Sequence, residues 1–366
     1  MKIADFKVEQ WMNAYEGKAV FNMTDTCVSP FTLEQLTAMD TDALLSNVTL
    51  DYGTITGDVR MKKELLKIYT TGTIDSITMA QGCLQANEMV LETLLDPGDH
   101  VLAYTPSYQQ FTDYPKSLGC TVTELQLYED EQWQPSIPAL QKAMEQKVKL
   151  IILNNPNNPT GTVFAQEYLQ ELIALCRKQG TYVLCDEVYR DPSLPSISDL
   201  YEKGIATSSL SKMFSLAGLR FGWIKGPQEV IDAINVRRDY SIISTGPLAD
   251  TLALIALQHR KEILQRSHAI IDQNKQYLHA WLQQNPSFHI VMPDAGTVGF
   301  LKYDVKIPSV EFAKGILEQD GVFYVPGSCF DCEQHLRLGL TANAEQFQKG
   351  LQLTADYIQT IKKEVH

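Results

Sequence analysis

Between residues 100 and 210 the chain returns five times to a short, largely apolar run, and helix-period sequence lies between several of these runs. The runs are His100–Tyr104, Val122–Leu127, Val148–Leu153, Thr181–Cys185 and Ile205–Leu210. Each is too short for a helix, and a strand that stays apolar at successive positions needs cover on both faces. Helical spacing occupies 60–70, 83–95 (stopped by Asp96-Pro97-Gly98), 136–146 and 166–179. Such alternation predicts an α/β layer, a mostly parallel sheet flanked by helices. From about residue 247 the pattern changes. A long helical stretch runs to about 284. After it come Phe288–Met292, Val298–Tyr303, a helix at 308–319, Val322–Val325, His335–Leu340 and a helix at 344–363. This reads as a smaller α+β domain. The expected organisation is an N-terminal segment (1–45) packing with the small domain, a large domain (46–255) and a small C-terminal domain (256–366). The first 30 or so residues show no strand period of their own.

Composition narrows the function classes. A chain of 366 residues, 44% hydrophobic and 20% charged, can bury cores for two domains. Its 31 Lys+Arg against 44 Asp+Glu give a net charge of −13, which argues against nucleic acid or an anionic membrane as partner. No stretch approaches the about 18 apolar residues of a spanning helix. The start, Met1-Lys2-Ile3-Ala4-Asp5, is not that of a signal peptide. Seven scattered cysteines are no disulfide framework, and Cys329-Phe330-Asp331-Cys332 is half a metal motif at best. The expectation is a reduced, cytoplasmic protein without a metal site.

In open α/β sheets ligands collect beyond the carboxyl ends of the strands, so the residues just after each run matter most. After Leu153 comes Asn154-Asn155-Pro156-Asn157-Asn158-Pro159-Thr160-Gly161, a rigid turn that presents amide side chains. After Cys185 come Asp186 and Tyr189, a carboxylate and a phenol at a strand end. Ser209-Leu210-Ser211-Lys212, with Gly218-Leu219-Arg220-Phe221-Gly222-Trp223 shortly after it, sets an amine among hydroxyls near an arginine that can grip an anion with two donors. Desolvation there is expected to lower the proton affinity of Lys212 and favour imine chemistry. Gln81-Gly82-Cys83-Leu84-Gln85-Ala86-Asn87 opens a helix, whose free N–H groups suit a phosphate. Taken singly, each also fits an ordinary turn, cap or surface residue.

In chain order, a Gly at a helix start, the aromatic-Pro loop Thr105-Pro106-Ser107-Tyr108, Asn-Pro-Thr-Gly, Asp-x-x-Tyr, Ser-x-Ser-Lys and then Arg after Gly resemble the class I/II aminotransferases, fold-type I pyridoxal-phosphate enzymes, over about residues 45–345. The resemblance implies a Schiff base between Lys212 and the cofactor, and Lys212 as the later proton carrier. It implies Asp186 beside the pyridine nitrogen, Asn158 and Tyr189 on the phenolic oxygen, and Tyr108 stacked on the ring. Ser209, Arg220 and the backbone N–H groups of Cys83 and Leu84 are implied to hold the phosphate. Tyr52 resembles a tyrosine reaching a phosphate across a homodimer interface with shared active sites. Arg337, in His335-Leu336-Arg337-Leu338, resembles the arginine that binds the substrate carboxylate, with Asn158 beside it. Two departures stand out. Leu84 occupies a position where many members have a hydroxyl residue, and Thr24-Asp25-Thr26-Cys27-Val28-Ser29-Pro30 has no glycine where the family's substrate loop carries one.

The expected activity is amino transfer between an L-amino acid and a 2-oxo acid. The alternative is β-elimination at a carbon–sulfur bond on the same scaffold, since fold and cofactor do not settle reaction type. The S-x-x-K reading as an acyl-transfer serine lacks the S-D-N and K-T-G tripeptides. No G-x-G-x-x-G, P-loop, H-E-x-x-H or G-x-S-x-G is present. A regulatory, non-enzymatic reading lacks a basic module for DNA. No second arginine for a distal carboxylate is evident. Arg237 and Arg238 lie on a helical pattern that reads as a solvated face.

Overall fold

In the computed structural model, which describes residues 2–364, the five apolar runs become five adjacent strands of one seven-stranded sheet. Residues 1, 365 and 366, the outer ends of the expected first and last segments, lie outside the described residues. The strand order is Ile77–Ala80, Gly222–Lys225, Gly204–Ser209, Tyr182–Asp186, Leu150–Asn154, His100–Thr105 and Thr121–Gln126. From Gly204–Ser209 onward neighbours pair in parallel. Gly222–Lys225 alone runs the other way.

The apolar character of the runs comes from cover on both faces. Val101, Ala103, Leu150, Ile152, Leu184 and Ile205 pack with Met89 and Val90 of helix Gly82–Leu94 and with Ile231 and Ile234 of helix Gln228–Arg238. The alternate residues Leu102, Tyr104, Ile151, Leu153, Val183 and Cys185 pack on the other face with Tyr168, Leu172 and Cys176 of helix Gln166–Gln179.

Two strands lie outside the sequence expectation. Ile77–Ala80 and Gly222–Lys225 are four residues each, and the second contains a glycine and a buried lysine. A Cβ on Gly222 would lie 2.5 Å from the Gly82 carbonyl carbon, so contact dictates that glycine. Lys225 is tolerated because its Nζ sits 2.9 Å from the Asp199 carboxylate.

The second sheet is antiparallel, in the order Val325–Pro326, His335–Gly339, Val298–Tyr303 and Phe288–His289. The expected strand Val322–Val325 is divided: Val325–Pro326 joins this sheet, while Val322–Phe323 pairs in parallel with Phe21–Asn22. The N-terminal segment therefore does contribute a strand, two residues too short to show a period. The expected strand at 288–292 is regular only at Phe288–His289, and the helical stretch 247–284 is two helices, Pro247–Gln258 and Arg260–Gln284. Ahead of these lies helix Lys7–Tyr15. It spans both parts of the molecule: Phe6 packs on Tyr108 (ring centroids 4.8 Å apart) and Trp11 Nε1 donates to the Tyr324 carbonyl at 2.8 Å.

Candidate active site

Parallel strands bring their carboxyl ends to one edge of the sheet. Asn154, Asp186 and Ser209 are each the last residue of a strand there. At that edge a cavity of about 490 Å³ is lined by Lys212, Asp186, Tyr189, Cys83, Leu84, Tyr108, Asn158, Ser209, Arg220 and Arg337. Only Tyr52 of the sequence-derived set lies elsewhere, 68% exposed at the surface.

Strand alternation sends Asp186 into the cavity and Glu187 away from it, to a buried pair with Arg190 Nε at 2.7 Å. Asp186 Oδ2 accepts from Asn87 Nδ2 at 2.8 Å, and Oδ1 from the Val188 N–H at 3.0 Å. Asn87 is itself fixed, accepting from Thr207 Oγ1 and donating to Gln110 Oε1. Burial nevertheless pushes the Asp186 carboxyl above its ordinary value, and Asn87, Val188, Cys83 and the Lys212 charge do not fully offset it. The carboxylate is short of a positive partner.

Lys212 Nζ donates to Thr26 Oγ1 at 2.6 Å and to Cys27 Sγ at 3.5 Å, and lies 6.0 Å from the Tyr189 ring centre. Here the expected loss of proton affinity is not what the structure gives. Burial pulls the ammonium down, but Tyr189, Cys27 and Asp25 outweigh it against Arg337, and the net direction is upward. The sequence shows the desolvation but not these neighbours. Tyr189 is buried, which raises its phenol, opposed chiefly by Lys212 and Arg337.

The anion end is built from backbone. Helix Gly82–Leu94 has no side-chain cap at its N-terminus, so first-turn N–H groups remain available. Gly82 has φ of +83°, and a Cβ there would meet Arg220 Nη2 at 2.6 Å. Glycine is thus what lets the guanidinium lie over the helix start. Ser209 Oγ accepts from the Ser211 N–H at 3.2 Å and shares the cavity wall with Arg220.

Opposite, Arg337 is 5% exposed; its Nε donates to Thr24 Oγ1 at 3.1 Å, and its terminal nitrogens make no hydrogen bond among the described residues. Leu336 and Leu338 flank it in the core. Two positions on, a Cβ on Gly339 would lie 2.0 Å from the Asp25 carbonyl oxygen. That absence of a side chain lets segment 24–27 settle against the strand and bring Asp25, Thr26 and Cys27 into the cavity.

A model of the family "Aminotransferase class I and II" matches residues 22–352. The chain belongs to the class I and II aminotransferase family. It is an enzyme of that pyridoxal-phosphate-dependent class. A PLP-dependent aminotransferase structure from Streptococcus suis is 36% identical, with a TM-score of 0.95 over 98% of this chain and 99% of the other. LL-diaminopimelate aminotransferase of Dehalococcoides mccartyi is 30% identical over 72% of this chain and 70% of its own length. Aspartate aminotransferase of Thermotoga maritima is 25% identical over 78% and 76% respectively.

The residues of this aminotransferase fit pyridoxal phosphate. Asn158 is 3% exposed and its Oδ1 has no hydrogen-bond partner. Asp186 lacks a cation, and an uncapped helix start lies under Arg220. The Asp186 and helix-start deficits are ones that a protonated ring and a phosphate would fill, and the buried Asn158 amide can meet a phenolic oxygen through its NH2 group, its oxygen being an acceptor.

Sequence reasoning missed Asn87 as the donor to Asp186, although it lies on the helix that the Gly82 segment opens; its position about a turn and a half inside from Gly82 was the available signal. It also missed Thr26, Cys27, Glu9 and Met12, whose place in the cavity depends on long-range packing. Arg238 corrects another expectation. It is fully buried, not solvated, with Nη1 donating to the Ile55 and Ile243 carbonyls and Nη2 to Thr78 Oγ1 and the Met79 carbonyl. Neither Arg237 nor Arg238 lines the cavity. All seven cysteines are free, and among the described residues no cluster of His, Cys, Asp and Glu could hold a metal. Among those residues, too, no helix is long and apolar enough to cross a membrane.

Proposed function

We propose that this aminotransferase moves an amino group between an L-amino acid and a 2-oxo acid, with Lys212 as proton carrier. The observation that carries the reading is Arg337, a buried guanidinium with no carboxylate partner among the described residues, in the same cavity as the Lys212 amine. Leaving such a charge uncompensated is costly, and the α-carboxylate of a substrate supplies the planar, bidentate partner that it lacks. Bound pyridoxal phosphate would supply an electron-accepting ring that takes up the electron pair left when the substrate's Cα–H bond breaks. Asp186 would hold the proton on the ring nitrogen, because the carboxylate lacks a cation of its own. Asn158 and Tyr189 would donate to the phenolic oxygen, and Tyr108 would lie against the ring. Arg220, Ser209 and the N–H groups of Cys83 and Leu84 would bind the phosphate. Arg337, with Asn158, orients the substrate so that the Cα proton faces Lys212 Nζ, which receives it and returns it.

A homodimer fits this reading. Tyr52, Ile55, Tyr240, Ile243 and Leu248 are exposed apolar side chains. Their segments are tied together by the bonds from Arg238 to Ile55 and Ile243. A second copy covering that patch would bring Tyr52 toward a neighbouring site. Seven free cysteines suit the reducing cytoplasm. The test is a panel of amino donors against 2-oxoglutarate, pyruvate and oxaloacetate. Lys212→Ala is expected to lower turnover by roughly 10²–10⁴-fold. Pyruvate and ammonia released from a cysteine-type donor without any 2-oxo acid would move the assignment to β-elimination.

A further inference from the structure

The charges of the cavity do not divide evenly between cofactor and substrate carboxylate. Its cations are Lys212, Arg220 and Arg337, and its carboxylates are Asp186, Glu9 and Asp25. Lys212, Arg220 and Asp186 belong to the cofactor end, and Arg337 takes the α-carboxylate. Glu9 and Asp25 remain for the rest of the substrate, with Val8 and Met12 beside them. No cation is left over for a distal carboxylate.

Both acids are held in place. Glu9 sits on helix Lys7–Tyr15, where Oε1 accepts from the Tyr108 phenol at 3.2 Å, and Oε2 makes no hydrogen bond among the described residues. Asp25 Oδ1 accepts from the Cys27 N–H at 2.9 Å and Oδ2 is likewise unengaged. The helix is pinned from both sides: the Lys7 N–H donates to Gln109 Oε1 at 2.8 Å, and Trp11 holds the Tyr324 carbonyl. The same cavity contains the buried Asn158 amide and the unpaired end of Arg337; Asp25 is half-buried there and Glu9 is exposed. Burial raises the nearby Glu16 carboxyl, Asp25 and Glu9 add to this, and the Asn22 hydrogen bond and the Arg337 charge oppose it without cancelling it.

We propose that the substrate is an amino acid whose side chain ends in a cation, an amine or a guanidinium, read by Glu9 and Asp25. This rests on the amino-transfer reading of the cavity, with Arg337 at the α-carboxylate. Val8 and Met12 cover the methylene stem, as apolar walls do along such chains. The cationic end then exchanges water for two carboxylates that make no ion pair among the described residues, although the Asp25 charge also acts on Lys212.

The test compares arginine with citrulline, which has nearly the same shape without the charge. The holoenzyme is assayed for kcat/KM with a 2-oxo acid acceptor, and binding is measured by calorimetry. The expected preference is roughly tenfold for arginine, or about 1.4 kcal/mol. Glu9→Gln is expected to cut that ratio at least about threefold; Asp25→Asn acts in the same direction and serves if the first variant is poorly folded. An arginine-to-citrulline ratio near one, or a ratio unchanged in both variants while both constants fall together, overturns the proposal and leaves Glu9 as support for Tyr108 only. If donors turn over without a charge preference, the substrate class fails and the amino-transfer reading stands. If nothing turns over but calorimetry shows the preference and its loss in Glu9→Gln, the substrate class stands and the amino-transfer reading fails.

Discussion

Gly82→Ala separates the backbone requirement of the anion end from its sequence neighbourhood. Two costs are expected. An alanine at φ of +83° carries the left-handed penalty, roughly 1–2 kcal/mol. In addition, its Cβ would lie 2.6 Å from Arg220 Nη2, so the guanidinium must leave its place over the helix start. A control isolates the second effect. Gly98 has φ of +93° but nothing within 4 Å of its notional Cβ, so Gly98→Ala carries the backbone penalty alone. Both variants are therefore expected to lose about 1–2 kcal/mol of stability in urea unfolding of the apoprotein. Only Gly82→Ala should also weaken pyridoxal phosphate, by about tenfold or more, since a charge-assisted contact to the phosphate contributes about 1.5–3 kcal/mol. The assay is a fluorescence or absorbance titration of each apoprotein with the cofactor. Equal affinity in Gly82→Ala and Gly98→Ala would refute the reasoning, because Arg220 would then be indifferent to the Cβ placed against it.

Three further outcomes are expected. Asn87→Leu removes the 2.8 Å donor to Asp186 Oδ2 from a fully buried site; stability should fall by about 1–3 kcal/mol in urea unfolding, and wild-type stability would count against the role given to Asn87. Glu187→Gln leaves the buried Arg190 guanidinium without the carboxylate now 2.7 Å from its Nε; a loss of about 3–5 kcal/mol is expected, and a change below about 1 kcal/mol would show the pair to be dispensable. Between the two sheets, His335 Nε2 lies 3.5 Å from Glu129 Oε2, and Lys302 donates to the same carboxylate. Burial lowers the His335 imidazolium, but Cys332 and Glu129 outweigh it and raise it from 6.5 to about 9. Burial raises Glu129, but His335 and Lys302 bring it down from 4.5 to about 2. The histidine contribution is complete below about pH 6.5 and is lost as the pH rises through about 9; that of Glu129 is complete above about pH 4.5 and is lost toward pH 2. The Tm gap between wild type and His335→Gln should accordingly shrink from pH 6.5 to 9, and a gap that stays constant across that window would contradict the assignment.

How legible the site was in the sequence depends on what places each residue. Asn158, Asp186 and Ser209 could be read because each lies at or just after the end of an apolar run, and a parallel sheet sends such positions to one edge. The helix opening at Gly82 was legible from its own period over 83–95 and from the glycine ahead of it, since the strand Ile77–Ala80 that precedes it was not expected. The opposite wall obeys no local rule. Thr26 meets Lys212 across 186 positions and Thr24 meets Arg337 across 313, and neither contact leaves a period in the sequence. The same limit explains Arg238: next to the exposed Arg237 it reads as part of a wet helix face, but its donors are used by carbonyls of segments near residues 55 and 79, more than 150 positions away. It explains the direction of Lys212 as well, since desolvation is legible from an apolar neighbourhood while Tyr189, Cys27 and Asp25 act only once the chain has folded. On the proposed reading the cofactor end would draw on strand ends that the pattern reveals, and the substrate end on a pinned helix and a loop seated on Gly339. Substitutions in the first group should alter cofactor affinity. Those in the second, Glu9, Asp25 and Met12, should alter the choice of amino donor while the cofactor stays bound, which is the division that a specificity change within one scaffold requires.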